Sequence, residues 1–486
     1  MTIPEAVNLA LQRFQSGDLK QASDICRAIL AQDPHQADTL QLLGLVHLQA
    51  GDARTAALAI GRAASLAPGR IDFHYNLGRA LNELNQRAEA AVVFRRAASI
   101  PTQDAYVMIS IAKELSMIGE FADTLAITQH VAAMHPNDAE VLAVHGQALT
   151  DMGQHEAALQ AVRRSISLRP DDAGAHWNLA MLLLRQGDYA QGWREFEWRF
   201  KLANFQKLVR GFPQPMWKGE AAEGKTILLH AEGGFGDTFF YIRYLPRVRA
   251  RVGRVIVECQ KEIIPLVERM EGIERIVARG DALPAFDLQI PMVSLGGVFD
   301  RDVNAIQSQV PYLSAPAEQL KKWTARVPRD GKLNVGIAWM ASRAGGDETR
   351  NLNLGDLAPF GSARNARFFS LQFENDAPQA RPAGMDWPDY RKEMGGFPDT
   401  AALIMQLDLI ISVDTSVAHL AGALGRPVWT LLPLVPSYFW LLGRSDTHWY
   451  PTMRLFRQTK LNDWSSPLAE AARKLNELAR AHHGTA

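Results

Sequence analysis

A helical repeat array followed by an α/β region of two strand-and-helix lobes is the fold class the sequence predicts, on three observations. Through the first 180 residues a small residue recurs every 34 positions, at Ala10, Gly44, Gly78, Ala112, Gly146 and Ala180. A second series keeps step with it at Gly17, Gly51, Asn85, Gly119, Gly153 and Gly187. From Lys225 this period ends, and short apolar runs alternate with helical stretches in its place.

Small residues at two phases of a 34-residue period are the signature of tetratricopeptide repeats (TPR), in which two antiparallel helices pack closely and the next pair stacks on them. Leu9, Leu43, Leu77, Ile111 and Leu179 line the first helix of a unit. Ala22, Ala56, Ala90, Ala158 and Gly192 lie in the second, with Thr124 in the alanine's place in the fourth unit. Pro34, Pro68, Pro101, Pro136 and Pro170 close successive units, because proline cannot continue a helix; the third unit is out of phase by one residue. At the small positions a larger side chain would hold the two backbones apart. About six repeats are expected over residues 3–200. Their superhelix could recruit an acceptor protein, tether the chain to a partner, or make a homodimer. The aromatic stripe of the sixth, Trp177, Trp193, Phe196, Trp198 and Phe200, reads as a cap buried against the next domain in preference to a sugar-stacking platform.

With 486 residues, 47% of them apolar, the chain has the length and composition of a multi-domain globular protein. Equal counts of 52 basic and 52 acidic residues argue against nucleic-acid or membrane-surface binding driven by bulk charge. Cys26 and Cys259 fall in different halves and form no metal-ligand cluster, which fits reduced buried thiols. The start of the chain lacks the basic and apolar regions of a signal peptide, and no uncharged apolar run reaches a membrane-spanning length. A cytoplasmic, non-spanning protein is expected.

In the second half, strands are expected at residues 226–231, 254–259 and 286–291. Residues 311–331, with several prolines among polar residues, read as a connection. The alternation then restarts, with strands at 334–339, 367–372, 409–413 and 427–432 and a last helix over 468–481. Two such lobes in series suggest two Rossmann-like domains, with ligands at the carboxyl ends of the strands.

Two loops after strands carry chemistry. The first, His230-Ala231-Glu232-Gly233-Gly234-Phe235-Gly236-Asp237-Thr238, is a glycine-rich turn into a helix, able to bring backbone N–H groups close to a negatively charged ligand. Gly234 and Gly236 with Glu258 downstream imitate a dinucleotide fingerprint, but Phe239 occupies its third glycine position. Asp237 is either a helix cap or a carboxylate able to take a proton from an attacking hydroxyl. In the second loop a buried strand ends in Asp414-Thr415-Ser416 and a helix follows, with His419 about one turn inside it. Its N–H groups and two hydroxyls would suit a diphosphate; the alternative is capping by Asp414 beside a satisfied histidine.

The stretch from His230 to Thr238, the triplet Ser370-Leu371-Gln372, the run from Asp414 to Trp429 and the later Trp449-Tyr450-Pro451 resemble bacterial tetratricopeptide proteins that carry a glycosyltransferase domain similar to glycosyltransferase family 9, the heptosyltransferases. A looser parallel is with repeat-fused protein O-glycosyltransferases, including flagellin-modifying enzymes. The resemblance implies a GT-B fold: repeats over residues 1–205, an acceptor lobe over 206–320 and a nucleotide-sugar donor lobe over 321–486. It also implies inversion at the anomeric carbon, no metal ion and no cofactor beyond the donor. Asp237 matches the family's general base; Asp414, Thr415, Ser416 and His419 match its donor-binding motif, with Ser416 in place of glycine. Ser342 and Arg350 lie where the family places diphosphate contacts, and Gln372 near the nucleoside site, where a structural role is equally open. The implied activity is transfer to a Ser or Thr hydroxyl of a protein held by the repeats, flagellin among the candidates. A lipopolysaccharide-type saccharide acceptor and a non-catalytic binding scaffold are the alternatives.

Overall fold

The computed structural model describes residues 2–206, 209–306, 308–341, 349–372 and 381–483. They divide into two compact units, Met1–Ala175 and His176–Ala486.

The first unit is a run of paired helices, beginning Ile3–Gln15 with Leu19–Gln32 and Ala37–Gln49 with Ala53–Leu66. Its two series of small residues have different physical causes. The first series marks close approach. A Cβ on Gly44 would lie 2.3 Å from Ile60, one on Gly78 2.5 Å from Phe94 and one on Gly146 2.5 Å from Val162, each partner sixteen residues on, in the second helix of the same pair. The second series marks conformation: Gly17, Gly51, Asn85, Gly119 and Gly153 all take positive φ, between 58° and 91°, in the turn between paired helices. Crowding explains the first series only, since nothing lies within 4 Å of a Cβ built on Gly17, Gly51 or Gly119. The Thr124 substitution is accommodated because its hydroxyl donates to Glu120 O (2.9 Å) and Ala112 O (3.3 Å).

The second unit opens with the remainder of helix Ala173–Gln186 and with Tyr189–Phe196. Two sheets follow. The first contains β1 (Ala222–His230), β2 (Val252–Cys259), β3 (Arg275–Ala278) and β4 (Leu288–Pro291) in the order β3-β2-β1-β4. The second contains β5 (Leu333–Ala338), β6 (Ala366–Ser370), β7 (Leu409–Val413), β8 (Val428–Leu432) and β9 (Met453–Arg457) in the order β6-β5-β7-β8-β9. Every paired neighbour is parallel, and β5 and β7 are buried along their whole length, as expected of strands covered on both faces. The last helix is Ser465–His483, whose Leu468, Ala471 and Leu475 pack in a core with Val335, Ile337 and Ile411.

Strand β3, four residues between Glu274 and Arg279, and strand β9, whose apolar run is interrupted by Arg454, escaped the alternation pattern. The expected connection at 311–331 contains a helix, Ala317–Arg326. Pro316 stands at its N-cap, where a missing N–H costs nothing, and Trp323 is fully buried with its indole N–H donating to Asp399 (2.7 Å). Among the described residues no helix is long and apolar enough to cross a membrane.

Two glycines separate crowding from propensity. Gly61→Ala, whose Cβ would meet Leu77 at an ordinary 3.8 Å, should stabilise its helix by about 0.5–1 kcal/mol. Gly78→Ala should destabilise by about 1–3 kcal/mol through overpacking against Phe94, with Phe94→Leu recovering part of the loss. Denaturant unfolding followed by circular dichroism reads both, and a stabilising Gly78→Ala would mean that the helices do not pack this closely.

Candidate functional site

Parallel sheets bind ligands outside the carboxyl ends of their strands, at the point where strand order reverses. Those points lie between β1 and β4 and between β5 and β7. The glycine-rich loop leaves β1, the Asp414 loop leaves β7 and the loop bearing Arg350 follows β5.

The first loop enters helix Phe235–Tyr241, and the Asp237 carboxylate accepts the Gly234 N–H at 2.8 Å. Gly233 is required beneath it, because a Cβ there would stand 2.1 Å from Asp237 Oδ2. Gln260 braces the turn, donating from Nε2 to Gly233 O (3.1 Å) and accepting from the Thr238 hydroxyl (2.9 Å). Gly236 is the point of contact with the second sheet's loop, its Cβ position lying 3.1 Å from the His419 ring and 3.5 Å from Ser416 Cα. Burial pushes the Asp237 carboxyl up to about 6; the Gly234 N–H opposes the rise, the Glu232 and Asp414 carboxylates add to it, and Arg350 opposes it.

The second loop enters helix Ser416–Ala423. Its cap is Thr415 instead of Asp414: the Thr415 hydroxyl accepts the Val417 N–H at 3.1 Å and lies 3.2 Å from the Ser412 hydroxyl. Of the two hydroxyls expected at a diphosphate, Thr415 is therefore engaged in the turn and buried, while Ser416, at the first helical position, is partly exposed. Arg350 donates from Nη1 to Asp414 O at 3.2 Å, and its buried Nε has no hydrogen-bond partner among the described residues. An unpaired guanidinium donor beside a helix N-terminus is a prepared contact for an anion.

His419 is buried in an aromatic box, stacked on Trp440 (5.0 Å between centroids, 22° between planes) and edge-on to Phe439 and Phe240. Its Nδ1 lies 3.1 Å from the Tyr450 hydroxyl and its Nε2 3.9 Å from Asp414 Oδ1. Burial, with Arg243 and Arg350 adding their charge, pushes this imidazole down to about 3, so the ring is neutral at physiological pH. Gln372 stands at the end of β6, with its amide accepting from Met340 N and donating to Met340 O, both at 3.1 Å; it ties β6 to the start of the Arg350 loop. Ser342 lies outside the described residues.

Gly234, Gly236, Asp237, Asp414, Thr415, Ser416, His419 and Arg350 thus form one cluster. The dinucleotide features do not join it: Glu258 is fully buried and paired with Arg210, and Phe239 packs edge-on against Phe397. Sequence reasoning missed Arg243, whose guanidinium lies 4.2 Å from the Phe240 ring and 4.6 Å from that of Tyr450 and donates to the Tyr312 hydroxyl (3.0 Å). Its signal was the Trp449-Tyr450 pair, an aromatic patch that needs something to cover it. Arg199 was missed as well. It is fully buried beside the expected aromatic stripe, of which Trp193 and Phe196 are themselves in the core with Tyr241.

Residues 396–437, which contain the Asp414 loop and His419, match the family model described as glycosyltransferase family 9 (heptosyltransferase). Residues 42–105 match a tetratricopeptide repeat model and 146–187 a TPR repeat model. Among curated proteins the chain is 24% identical over 329 residues to Protein FlbA of Caulobacter vibrioides, which covers 62% of this chain and 54% of that protein. The chain therefore spans about half the length of this curated relative. Among solved structures it is similar to YrrB, a TPR protein with an unusual peptide-binding site (22% identity, TM-score 0.31, 36% of this chain and 90% of that one). It is also similar to PilF of Pseudomonas aeruginosa (17%, TM-score 0.34, 43% and 92%). The matches support a fusion of tetratricopeptide repeats with a glycosyltransferase domain.

The two titrating groups pull stability in opposite directions. Asp237 holds its proton more tightly in the folded chain, so its stabilising contribution is present below its unfolded value of 3.8 and lost as pH rises through about 6. The contribution of His419 is present above its unfolded value of 6.5 and lost as pH falls toward about 3. Asp237→Asn should therefore raise the melting temperature more at about pH 8 than at about pH 5, and His419→Gln should flatten the acid side of the profile. Equal shifts for Asp237→Asn at both values would mean an ordinary carboxyl.

Proposed function

We propose, from the union of tetratricopeptide repeats with a family 9 segment, that this chain is an inverting, metal-independent glycosyltransferase of GT-B architecture. It moves a sugar from a nucleotide-sugar donor to a Ser or Thr hydroxyl of a protein recruited by the repeats, in the cytoplasm, with flagellin as one acceptor to test. The observation that carries the reading is the approach of Gly236 to Ser416 and His419, which sets a carboxylate of raised proton affinity against the N-terminus of helix Ser416–Ala423. One is a base and the other an anion site, the two requirements of the reaction.

On this reading the second sheet is the donor lobe and the first the acceptor lobe. The first N–H groups of helix Ser416–Ala423 and the Arg350 guanidinium meet the charge that develops on the leaving diphosphate, the electrostatic task a metal performs elsewhere. The acceptor oxygen bonds to the anomeric carbon on the face opposite the breaking carbon–oxygen bond, and its proton passes to Asp237 as oxocarbenium character develops. A carboxyl near 6 is ionised at neutral pH and a stronger base than an exposed aspartate. His419, neutral and fixed by Trp440 and Tyr450, orients the Asp414 turn and so the donor.

A thermal-shift screen against nucleotides and nucleotide sugars should give a rise with one nucleotide class, by mass action, and Ser416→Arg should abolish it. A shift that survives in Ser416→Arg would move the donor site elsewhere. With the donor named, Asp237→Asn should keep that shift while transfer falls about 100-fold or more; wild-type turnover would reduce Asp237 to a helix cap.

A further inference from the structure

The turn that ends the sixth repeat is built into the glycine-rich loop. After helix Tyr189–Phe196 the chain makes a 3-10 turn, Glu197–Lys201, which carries Arg199 into full burial. Its guanidinium grips Glu232 with two parallel bonds, Nε to Oε1 at 2.7 Å and Nη2 to Oε2 at 2.9 Å. The remaining donors reach the Ser294 hydroxyl (2.7 Å), Glu197 (2.7 Å) and Phe196 O (3.3 Å), and Ser294 itself donates to Glu197 at 3.0 Å. Glu232 is five residues before Asp237, in the same loop. A buried ion pair contributes little net stability, because desolvation offsets its attraction, so its value lies in fixing geometry and charge.

We infer that Arg199 is a positioning residue for Asp237, acting through Glu232: the turn that ends the sixth repeat sets where the Asp237 carboxylate sits and how much neighbouring negative charge it feels. The inference rests on the proposed role of Asp237 for its catalytic meaning only. Glu232 and Asp414 face Asp237 with negative charge and Arg350 with positive charge; the Gly234 N–H binds it, and Tyr241, Tyr438 and the neutral His419 complete the surroundings. Arg199 balances one of the two carboxylates, as Arg350 bonds the turn of the other.

The test uses the full chain carrying a carbon-13 label in its aspartate carboxyls, with the Asp237 signal identified by its loss in Asp237→Asn. Arg199→Met should raise the pH midpoint of that signal by about one unit, tenfold in its proton equilibrium, and Glu232→Gln should lower it by about as much. Arg199→Lys, which keeps the charge, should restore most of the wild-type value. If Arg199→Met does not fold, Glu232→Gln carries the test, with Arg199→Lys expected to stay near the wild-type midpoint. An unchanged midpoint in Glu232→Gln, and in Arg199→Met where it folds, beside a lowered melting temperature, would overturn the inference and leave Arg199 a structural anchor. No substrate is used, so the titration stands even if Asp237→Asn transfers sugar normally and the base assignment falls.

Discussion

The close contact of two short helices, Phe235–Tyr241 from the first sheet and Ser416–Ala423 from the second, is the constraint on which the candidate site depends. Each begins at the carboxyl end of a central strand, and their contact is possible because Gly236 has no side chain to meet His419 and Ser416. Aromatic rings then fix the pair: Phe240 lies against His419, Phe439 and Trp449, and Arg243 covers the Phe240 and Tyr450 faces. The chemistry follows from this packing. Burial at the contact raises the proton affinity of Asp237 and lowers that of His419, because in each it disfavours the charged form.

That pairing assigns different work to groups that look alike in a motif. Thr415 and Ser416 are adjacent hydroxyls, yet one is spent on the Val417 N–H and the other stands at the first helical position, partly exposed. Asp237 stands at the third position of its helix instead of at the N-cap, which is Gly234; its carboxylate accepts the Gly234 N–H and is also the one with raised proton affinity. A cap and a base are compatible here because a carboxylate has two oxygens and the capping bond uses Oδ2.

How far the sequence could be read depended on the range of the interaction behind each residue. The repeats were legible because both causes are local: crowding between paired helices at Gly44, Gly78 and Gly146, and positive φ at Gly17, Gly51 and Asn85. The sheets and the two loops were legible because a buried parallel strand is an apolar run and a tight strand-to-helix turn needs glycine or a capping hydroxyl. Arg199 and Arg243 were not. Their partners lie 33 and up to 206 residues away, and a lone arginine among aromatics carries no mark of the carboxylate or ring it will meet. The helix Ala317–Arg326 was hidden by its prolines, which sit at its start and beyond its end where they do no harm. Gln372 was legible as a residue at a strand end, but its bonds to Met340 depend on which strand β6 lies beside.

The sixth repeat bears on how such a chain could change over generations. Units before it repeat a common pattern, in which a small residue meets a larger one sixteen positions on, and the ion pairs between neighbouring units, such as Arg70–Asp38 and Lys113–Glu140, are exposed, so a whole unit could be gained or lost by recombination at little cost. The last unit has no such freedom: Gly296 admits the Trp193 ring, and Arg199 is committed to Glu232 and Ser294. Variation in array length is therefore expected upstream, with the final helix pair tied to the two-sheet region as one piece.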